Sequence, residues 1–199
     1  MSEALDRRAI ALFADALDYP GPRTLEAVAE CEEAVVAWSP ESAALLAEFR
    51  TYAKESPLGR LQEIYTGAFD LDTLSDLAAT CYPYVGHHLF GESHKRSAFL
   101  VGLRERYRAY GFEVENELPD HLVVLLRFLA VCDDGELIAE VIHEALVPAL
   151  ERMVGDSGER PEPLTGRERY LQLLDALRRF LATHPGSMEE RLETVRRSA

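Results

Sequence analysis

The sequence lacks the features that mark membrane, secreted and nucleic-acid-binding proteins. None of its segments approaches the about 18 to 20 uninterrupted apolar residues that a membrane span requires. The first residues include acids and follow an amphipathic pattern, so no secretory signal is expected. Lysine and arginine number 21 against 35 acidic residues, and the net charge of −14 argues against binding a nucleic-acid backbone. We therefore expect no stable membrane insertion and no nucleic-acid partner.

Cysteine is scarce, and its spacing fits no metal site. Cys31, Cys81 and Cys132 stand alone, without CxxC spacing, which is typical of reduced core thiols in a cytoplasmic protein. The histidines near Cys81 include the adjacent pair His87 and His88, which on a helix would point about 100° apart. We therefore predict no metal site and no cofactor of the protein's own.

Motifs of common enzyme classes are absent as well. The chain has neither a glycine-rich phosphate loop nor a GxSxG nucleophile motif. His143-Glu144 begins a sequence like HExxH, but the second histidine of that zinc motif is missing. Carboxylates are numerous, as in any acidic protein, and single out no catalytic pair. The prediction is that the protein is not an enzyme.

What the sequence does contain is helical periodicity along nearly its whole length. Apolar residues recur at helical spacing in the first segment, as far as the sequence DYPGP, and again over residues 24–37. Ser39-Pro40 combines an N-capping serine with a proline suited to the first helical position. Gly91 and Gly111 are expected to end helices. No alternating strand pattern of convincing length is present.

These signals predict an all-α fold consisting of one helical bundle. The predicted domain covers residues 1–184, and the polar tail at 185–199 has too few apolar residues to dock firmly. A helix at 135–154 is expected to bend at Pro148. A last amphipathic helix is predicted at 165–182.

The stretch GFEVENELPDHLVVLLRFLAV, residues 111–131, joins an acidic loop to a helix that is apolar almost all round. Its Pro-Asp-His turn, formed by Pro119, Asp120 and His121, places an ionisable pair at the start of a helix that should be buried. Asp120 is either an N-cap with His121 hydrogen-bonded beside it, or the pair binds something from outside the chain. Both interpretations follow from the residues alone.

Three segments together resemble a known family. EIYTGAFDLDT, YPYVGHHLFGESHKRSAFLVGLRERYRAYGFE and ELPDHLVVLLRFLA resemble, in order and spacing, the TorD/DmsD/NarJ family of redox-enzyme maturation chaperones. The NarJ branch, the assembly chaperones of respiratory nitrate reductases, looks most similar. The resemblance covers about residues 60–132 and implies a TorD-like helical bundle located in the cytoplasm. It also implies binding to the N-terminal segment of a molybdoenzyme catalytic subunit, often a twin-arginine signal or its vestige, until the molybdenum cofactor is inserted.

The resemblance also implies where such a peptide would bind. In the family the Pro-Asp-His turn lies at the peptide groove, and the Tyr-x-x-x-Phe-Asp helix forms part of its hydrophobic side. A basic amphipathic peptide needs an apolar groove with an acidic rim. The implied peptide-binding residues are Tyr65, Phe69, Asp70, Tyr82, Tyr84, Leu89, Phe90, Glu117, Pro119, Asp120 and His121, with Asp72, Glu113 and Glu115 as further rim acids.

Each of these assignments has a plainer alternative. The aromatic residues recur at helical spacing, as core residues do, and the acids of the sequence EVENE fit a solvated loop. The chain also departs from the family pattern, because Arg127 lies near the position where relatives often carry a glutamate in the helix after Asp-His.

Other functions and clients remain open at this stage. The alternatives are a helical adaptor that binds a folded partner without a role in cofactor insertion, and a nucleotide-binding enzyme, which the missing phosphate loop disfavours. The client implied first is a nitrate reductase, followed by selenate, chlorate or hydrocarbon-oxidising molybdoenzymes. A monomer and a dimer that exchanges helices are both compatible with the sequence.

Overall fold

The computed structural model describes residues 6–69, 81–155, 164 and 166–183, and their regular structure is helical. The only β pairing in these ranges is an isolated antiparallel bridge between Tyr84 and His121. The prediction of an all-α fold is confirmed. In chain order the helices are α1 (Arg7–Ala16), α2 (Thr24–Val35), α3 (Pro40–Glu55), α4 (Leu58–Phe69), α5 (Val85–Phe90), α6 (His94–Ala109), α7 (Leu122–Val131), α8 (Gly135–Val141), α9 (Val147–Val154) and α10 (Gly166–Ala182).

Local sequence signals set several helix ends, as predicted. The hydroxyl of Ser39 accepts a hydrogen bond from the backbone N–H of Ser42 at 3.3 Å, which caps α3 directly before its proline. Gly91 follows α5 with φ at +60°, and Gly111 follows α6 with φ at +63°. Glycine suits both positions because it adopts the left-handed region without steric cost.

The segment from Gly135 to Val154, for which a bend at Pro148 was predicted, is irregular just before that proline. A π-helical turn, Ile142–Leu146, separates α8 from α9, and Pro148 lies in the first turn of α9. Proline lacks a backbone N–H, and its ring crowds the carbonyl four residues earlier. The wider turn just before Pro148 accommodates both effects without ending the helical segment.

Two helices supply much of the core that supports the site. α10 packs against α3, α4 and α9, and α7 packs against α1. No side chain caps the N-terminus of α7, so burial rather than capping stabilises it, at roughly 1.5 to 3 kcal/mol for each large apolar side chain. The buried residues of α7 are Leu122, Val123, Val124, Leu125, Leu126, Phe128 and Leu129.

The three cysteines lie buried in the core, as the sequence predicted. Burial raises the pKa of the Cys81 thiol to about 12, which keeps the sulfur protonated and unreactive. Among the described helices, none is both long and apolar enough to cross a membrane. The predicted tail at 185–199 and the two rim acids Asp70 and Asp72 lie outside the described residues.

Candidate functional site

The turn before α7 is fastened to the segment before α5 by the isolated bridge. Two backbone hydrogen bonds, of 2.8 and 2.7 Å, lie on either side of the facing residues Tyr84 and His121. Such a pair is not itself hydrogen-bonded, so its two side chains lie close together on one face. The rings of Tyr84 and His121 meet edge to face, with their centroids 5.5 Å apart.

A second aromatic group, centred on Tyr65 of α4, runs from the core to the surface. The Tyr65 ring lies 4.8 Å from Phe69 and 5.5 Å from Tyr170, both of which are buried. It also meets the ring of Tyr19 edge to face at 5.5 Å. Tyr19 follows the end of α1 and is 55% exposed. The outer rings of this group are therefore anchored by buried ones.

Two carboxylates flank these rings. Tyr84 donates its hydroxyl hydrogen to Glu117 at 3.1 Å. The pKa of Tyr65 is raised, first by burial and then by the negative charges of Asp18 and Glu117. We call this set the aromatic–acidic surface; it consists of Asp18, Tyr19, Tyr65, Tyr84, Glu117 and His121.

His121 stays uncharged in this setting. Burial lowers its pKa, and the positive charge of Arg127 acts in the same direction. The carboxylates of Glu117, Asp18 and Asp120 oppose this shift without outweighing it. The imidazole Nδ1 is buried and lacks a hydrogen-bond partner within the described ranges.

Two clefts share residues with the aromatic–acidic surface. A cleft of about 310 Å³ lies at the Asp18 end, where Asp15 and Glu30 add acidic groups and Arg23 a basic one. A cleft of about 440 Å³ lies at the Glu117 end. It contains all three acids of the sequence EVENE, and its other lining residues are Arg104, Tyr107, Arg108, Phe112, Val114 and Pro119.

Asp120 lies beneath the surface rather than on it. Its side chain is fully buried, and Arg96 of α6 donates from Nε to its Oδ2 at 3.1 Å. His121, not Asp120, occupies the N-cap position of α7, and it makes no side-chain capping bond. The alternative that Asp120 is an N-cap is wrong, because α7 begins later. Asp120 already has a cationic partner within the chain, which is Arg96.

The structure separates several of the other sequence-predicted residues from this surface. Tyr82 and Phe90 make their ring contacts with His87 and Phe99, at 4.7 and 5.5 Å. Leu89 is partly buried and packs against the core. Pro119 is buried too, and its carbonyl accepts a hydrogen bond from Tyr107 at 2.7 Å. Of the predicted set, Tyr65, Tyr84, Glu117 and His121 come together, with Phe69 and Asp120 below them.

Sequence reasoning missed Asp18, Tyr19 and Arg96, and it recognised no partner for Arg127. The guanidinium of Arg127 is 2.6 Å from Asp18 Oδ2 and 3.7 Å from Asp15 Oδ1. The only signal in the sequence was an acid and an aromatic residue at the end of α1, in DYPGP, which reads equally well as a helix stop. Across the described part of the chain, no three His, Cys, Asp or Glu residues cluster closely enough to hold a metal ion.

Fold and site thus describe a helical protein with a partly exposed aromatic surface between acidic clefts, and comparison with known proteins identifies the family. A family model described as nitrate reductase delta subunit matches residues 37–191, so the chain belongs to the nitrate reductase delta subunit family. The Escherichia coli (strain K12) protein described as "probable nitrate reductase molybdenum cofactor assembly chaperone NarW" is 26% identical over 162 residues. That match takes in 81% of this chain but only 62% of the relative's length.

A solved structure has the same fold. The crystal structure of a protein from Archaeoglobus fulgidus, described as a "putative redox enzyme maturation protein", superimposes with a TM-score of 0.56 and 24% identity. The match covers 89% of this chain and 94% of that one. The resemblance to redox-enzyme maturation chaperones is confirmed, and the relatives are described by assembly and maturation roles rather than as catalysts.

Proposed function

We propose that the protein is a cytoplasmic maturation chaperone that binds the N-terminal segment of a molybdoenzyme catalytic subunit at the aromatic–acidic surface. In this proposal the chaperone holds the subunit until the molybdenum cofactor is inserted. The observation that carries the proposal is the placement of the exposed ring of Tyr19 beside the carboxylate of Asp18, and of the partly buried ring of Tyr84 beside the carboxylate of Glu117. Family membership makes a nitrate reductase the first client to test.

The chemistry of the surface suits a helical peptide with one apolar and one basic side. Apolar side chains of such a peptide would lie against the tyrosine rings, which present large area at a small cost in conformational entropy. Its lysine or arginine residues would lie over the acidic clefts. The net charge of −14 would also attract a basic segment over some distance and speed its encounter with the protein.

A direct test is the binding of a synthetic peptide. The probe is a fluorescent peptide of about 20 residues from the N-terminus of the nitrate reductase catalytic subunit of the same organism, followed by fluorescence anisotropy. The expected result is binding at least about tenfold tighter than that of a scrambled peptide of the same composition, a difference of roughly 1.4 kcal/mol. Capture of the folded subunit without any binding of the peptide would instead favour the helical adaptor.

A matched pair of variants locates the binding site. Asp18 and Glu140 are exposed to 43% and 47%, and each forms an ion pair with one or more arginines of this chain. Asp18→Asn should weaken peptide binding by about 1.5- to 5-fold at low salt, the usual range for an exposed charge pair. Glu140→Gln removes the same charge away from the surface and should have little effect. Equal effects of the two variants would mean that the acids act only through net charge.

A further inference from the structure

Arg96 lies in a mostly buried network directly beneath the aromatic–acidic surface. Its side chain is 12% exposed, and that of its partner Asp120 is 0% exposed. The Oδ1 atom of Asp120 is buried without a hydrogen-bond partner in the described part of the chain. The bond from Arg96 to Oδ2 is therefore the one that holds this carboxylate in place.

The same guanidinium also reaches the surface. Its central carbon lies 5.7 Å from the centroid of the Tyr84 ring, within the range of a cation–π contact. The Tyr84 hydroxyl in turn donates to Glu117, and Arg96 Nη1 donates to the exposed Glu92. One arginine thus connects a buried carboxylate to a ring and an acid of the proposed peptide site.

Close packing keeps this arrangement from shifting. A Cβ atom at Gly86 of α5 would lie 2.7 Å from Asp120 Oδ2 and 3.3 Å from Arg96 Cγ. The first turn of α5 therefore lies directly against the ion pair and limits the space on that side of it. Tyr84 immediately precedes α5, and its ring contacts the Arg96 guanidinium of the ion pair.

A buried ion pair of this kind calls for an explanation other than stability. Removing two charges from water costs several kcal/mol for each ion, and well-packed apolar residues often serve stability equally well. We infer that Arg96 is a positioning residue of the proposed peptide site. Arg96 pairs with Asp120 and contacts the face of the Tyr84 ring, so it fixes the position of that ring. Through the Tyr84 hydroxyl it also fixes the carboxylate of Glu117. This inference rests on the proposed function.

A first experiment measures positioning without any peptide. Arg96→Lys keeps the positive charge beside Asp120 but removes the planar group that stacks on Tyr84. NMR resonances of the Tyr84 and His121 rings should shift in this variant. The same resonances should not shift in Arg106→Lys. That variant makes the same change on the same helix, but at an exposed arginine that pairs with Glu140. If Arg96→Lys does not fold, Glu92→Gln releases Nη1 without touching Asp120 and should shift the Tyr84 ring to a smaller extent.

A second experiment measures coupling in peptide binding with the nitrate reductase peptide. Arg96→Lys should weaken binding about 5- to 10-fold in the unaltered protein but less than about twofold in a Tyr84→Ala background, because both the ring and the hydroxyl through which Arg96 acts are then missing. Equal losses in both backgrounds would overturn the inference, since a purely structural effect is additive.

The two experiments separate the failure of the inference from the failure of the proposed function. Peptide binding by the unaltered protein together with unmoved rings in Arg96→Lys rejects the role of Arg96 alone. Shifted rings without peptide binding by the unaltered protein reject the peptide site, and with it any part that Arg96 plays in binding.

Discussion

Gly86 offers the sharpest test of how the ion pair beneath the surface is packed. Replacing Gly86 by alanine would add a Cβ atom 2.7 Å from Asp120 Oδ2 and 3.0 Å from Phe99 Cδ1. Ordinary contacts begin at 3.4 Å, so the first distance is 3.4 − 2.7 = 0.7 Å too short. A flexible exposed side chain could move away, but the Asp120 carboxylate is fully buried and bonded to Arg96.

The expected magnitude follows from two opposing effects. Overpacking a filled site costs typically about 1 to 3 kcal/mol, whereas alanine is favoured over glycine in a helix by up to about 1 kcal/mol. Because the overlap also displaces an atom of an ion pair, the cost should prevail, and Gly86→Ala should lower the free energy of unfolding by about 1 to 2 kcal/mol. For a chain of this size that corresponds to a melting temperature lower by roughly 2 to 8 °C.

Gly102 provides the control within α6. A Cβ atom there would meet nothing within 4 Å, so Gly102→Ala should gain the helix preference alone. We expect it to raise the free energy of unfolding by up to about 1 kcal/mol. The two variants are compared by thermal unfolding and by urea titration. A Gly86→Ala protein that melts at or above the unaltered protein would refute the packing described around Asp120.

Two further predictions concern charge at the surface. Arg127→Gln frees Asp18 from an internal cation and should tighten binding of the basic peptide by about 1.5- to 5-fold. Arg106→Gln, which breaks an equally exposed ion pair with Glu140, should not tighten binding. Equal gains in the two variants would show that only the net charge of the protein matters. Burial lowers the pKa of His121 below 6.5, so the unfolded chain binds the proton first and stability falls as the pH drops through about 6.5. His121→Gln should therefore reduce the loss of melting temperature between about pH 7.5 and about pH 5.5. An unchanged pH dependence in this variant would contradict the burial of His121.

The helices were predictable because their signals are local. The serine at Ser39 and the glycine at Gly111 act on the backbone of their own turn, and the structure shows both effects where they were expected. Where tertiary contacts intervene, the boundaries differ. The Asp-His pair was expected to stand at the start of α7, but α7 begins only at Leu122, because His121 pairs in the bridge with the segment before α5. α1 is capped by Asp6, whose side chain accepts hydrogen bonds from the backbone N–H groups of Arg8 and Ala9.

The candidate site was predictable only in part, because most of its partners are distant in sequence. The rings of Tyr65 and Tyr84 and the acid Glu117 stood out by residue type in the segments that carry the family resemblance. The ion pair between Arg127 and Asp18 joins residues that are 109 positions apart, and no sequence pattern in either segment predicts it. Likewise, the burial of Asp120 depends on α5 and α6 packing over the turn, which residue types at Asp120 itself do not reveal.

The bridge also explains why an ionisable pair stands at the start of a buried helix. His121 has extended backbone angles, φ −64° and ψ 132°, and consecutive side chains of extended backbone point in opposite directions. Asp120 therefore points inward to Arg96, while His121 points to the same face as Tyr84. Asp120 holds the turn through its ion pair with Arg96, and His121 contributes its ring to the aromatic–acidic surface. Exchanging the two residues would bring an imidazole against Arg96, with no carboxylate to balance the charge, so the order Asp-His is itself part of the architecture that presents the surface.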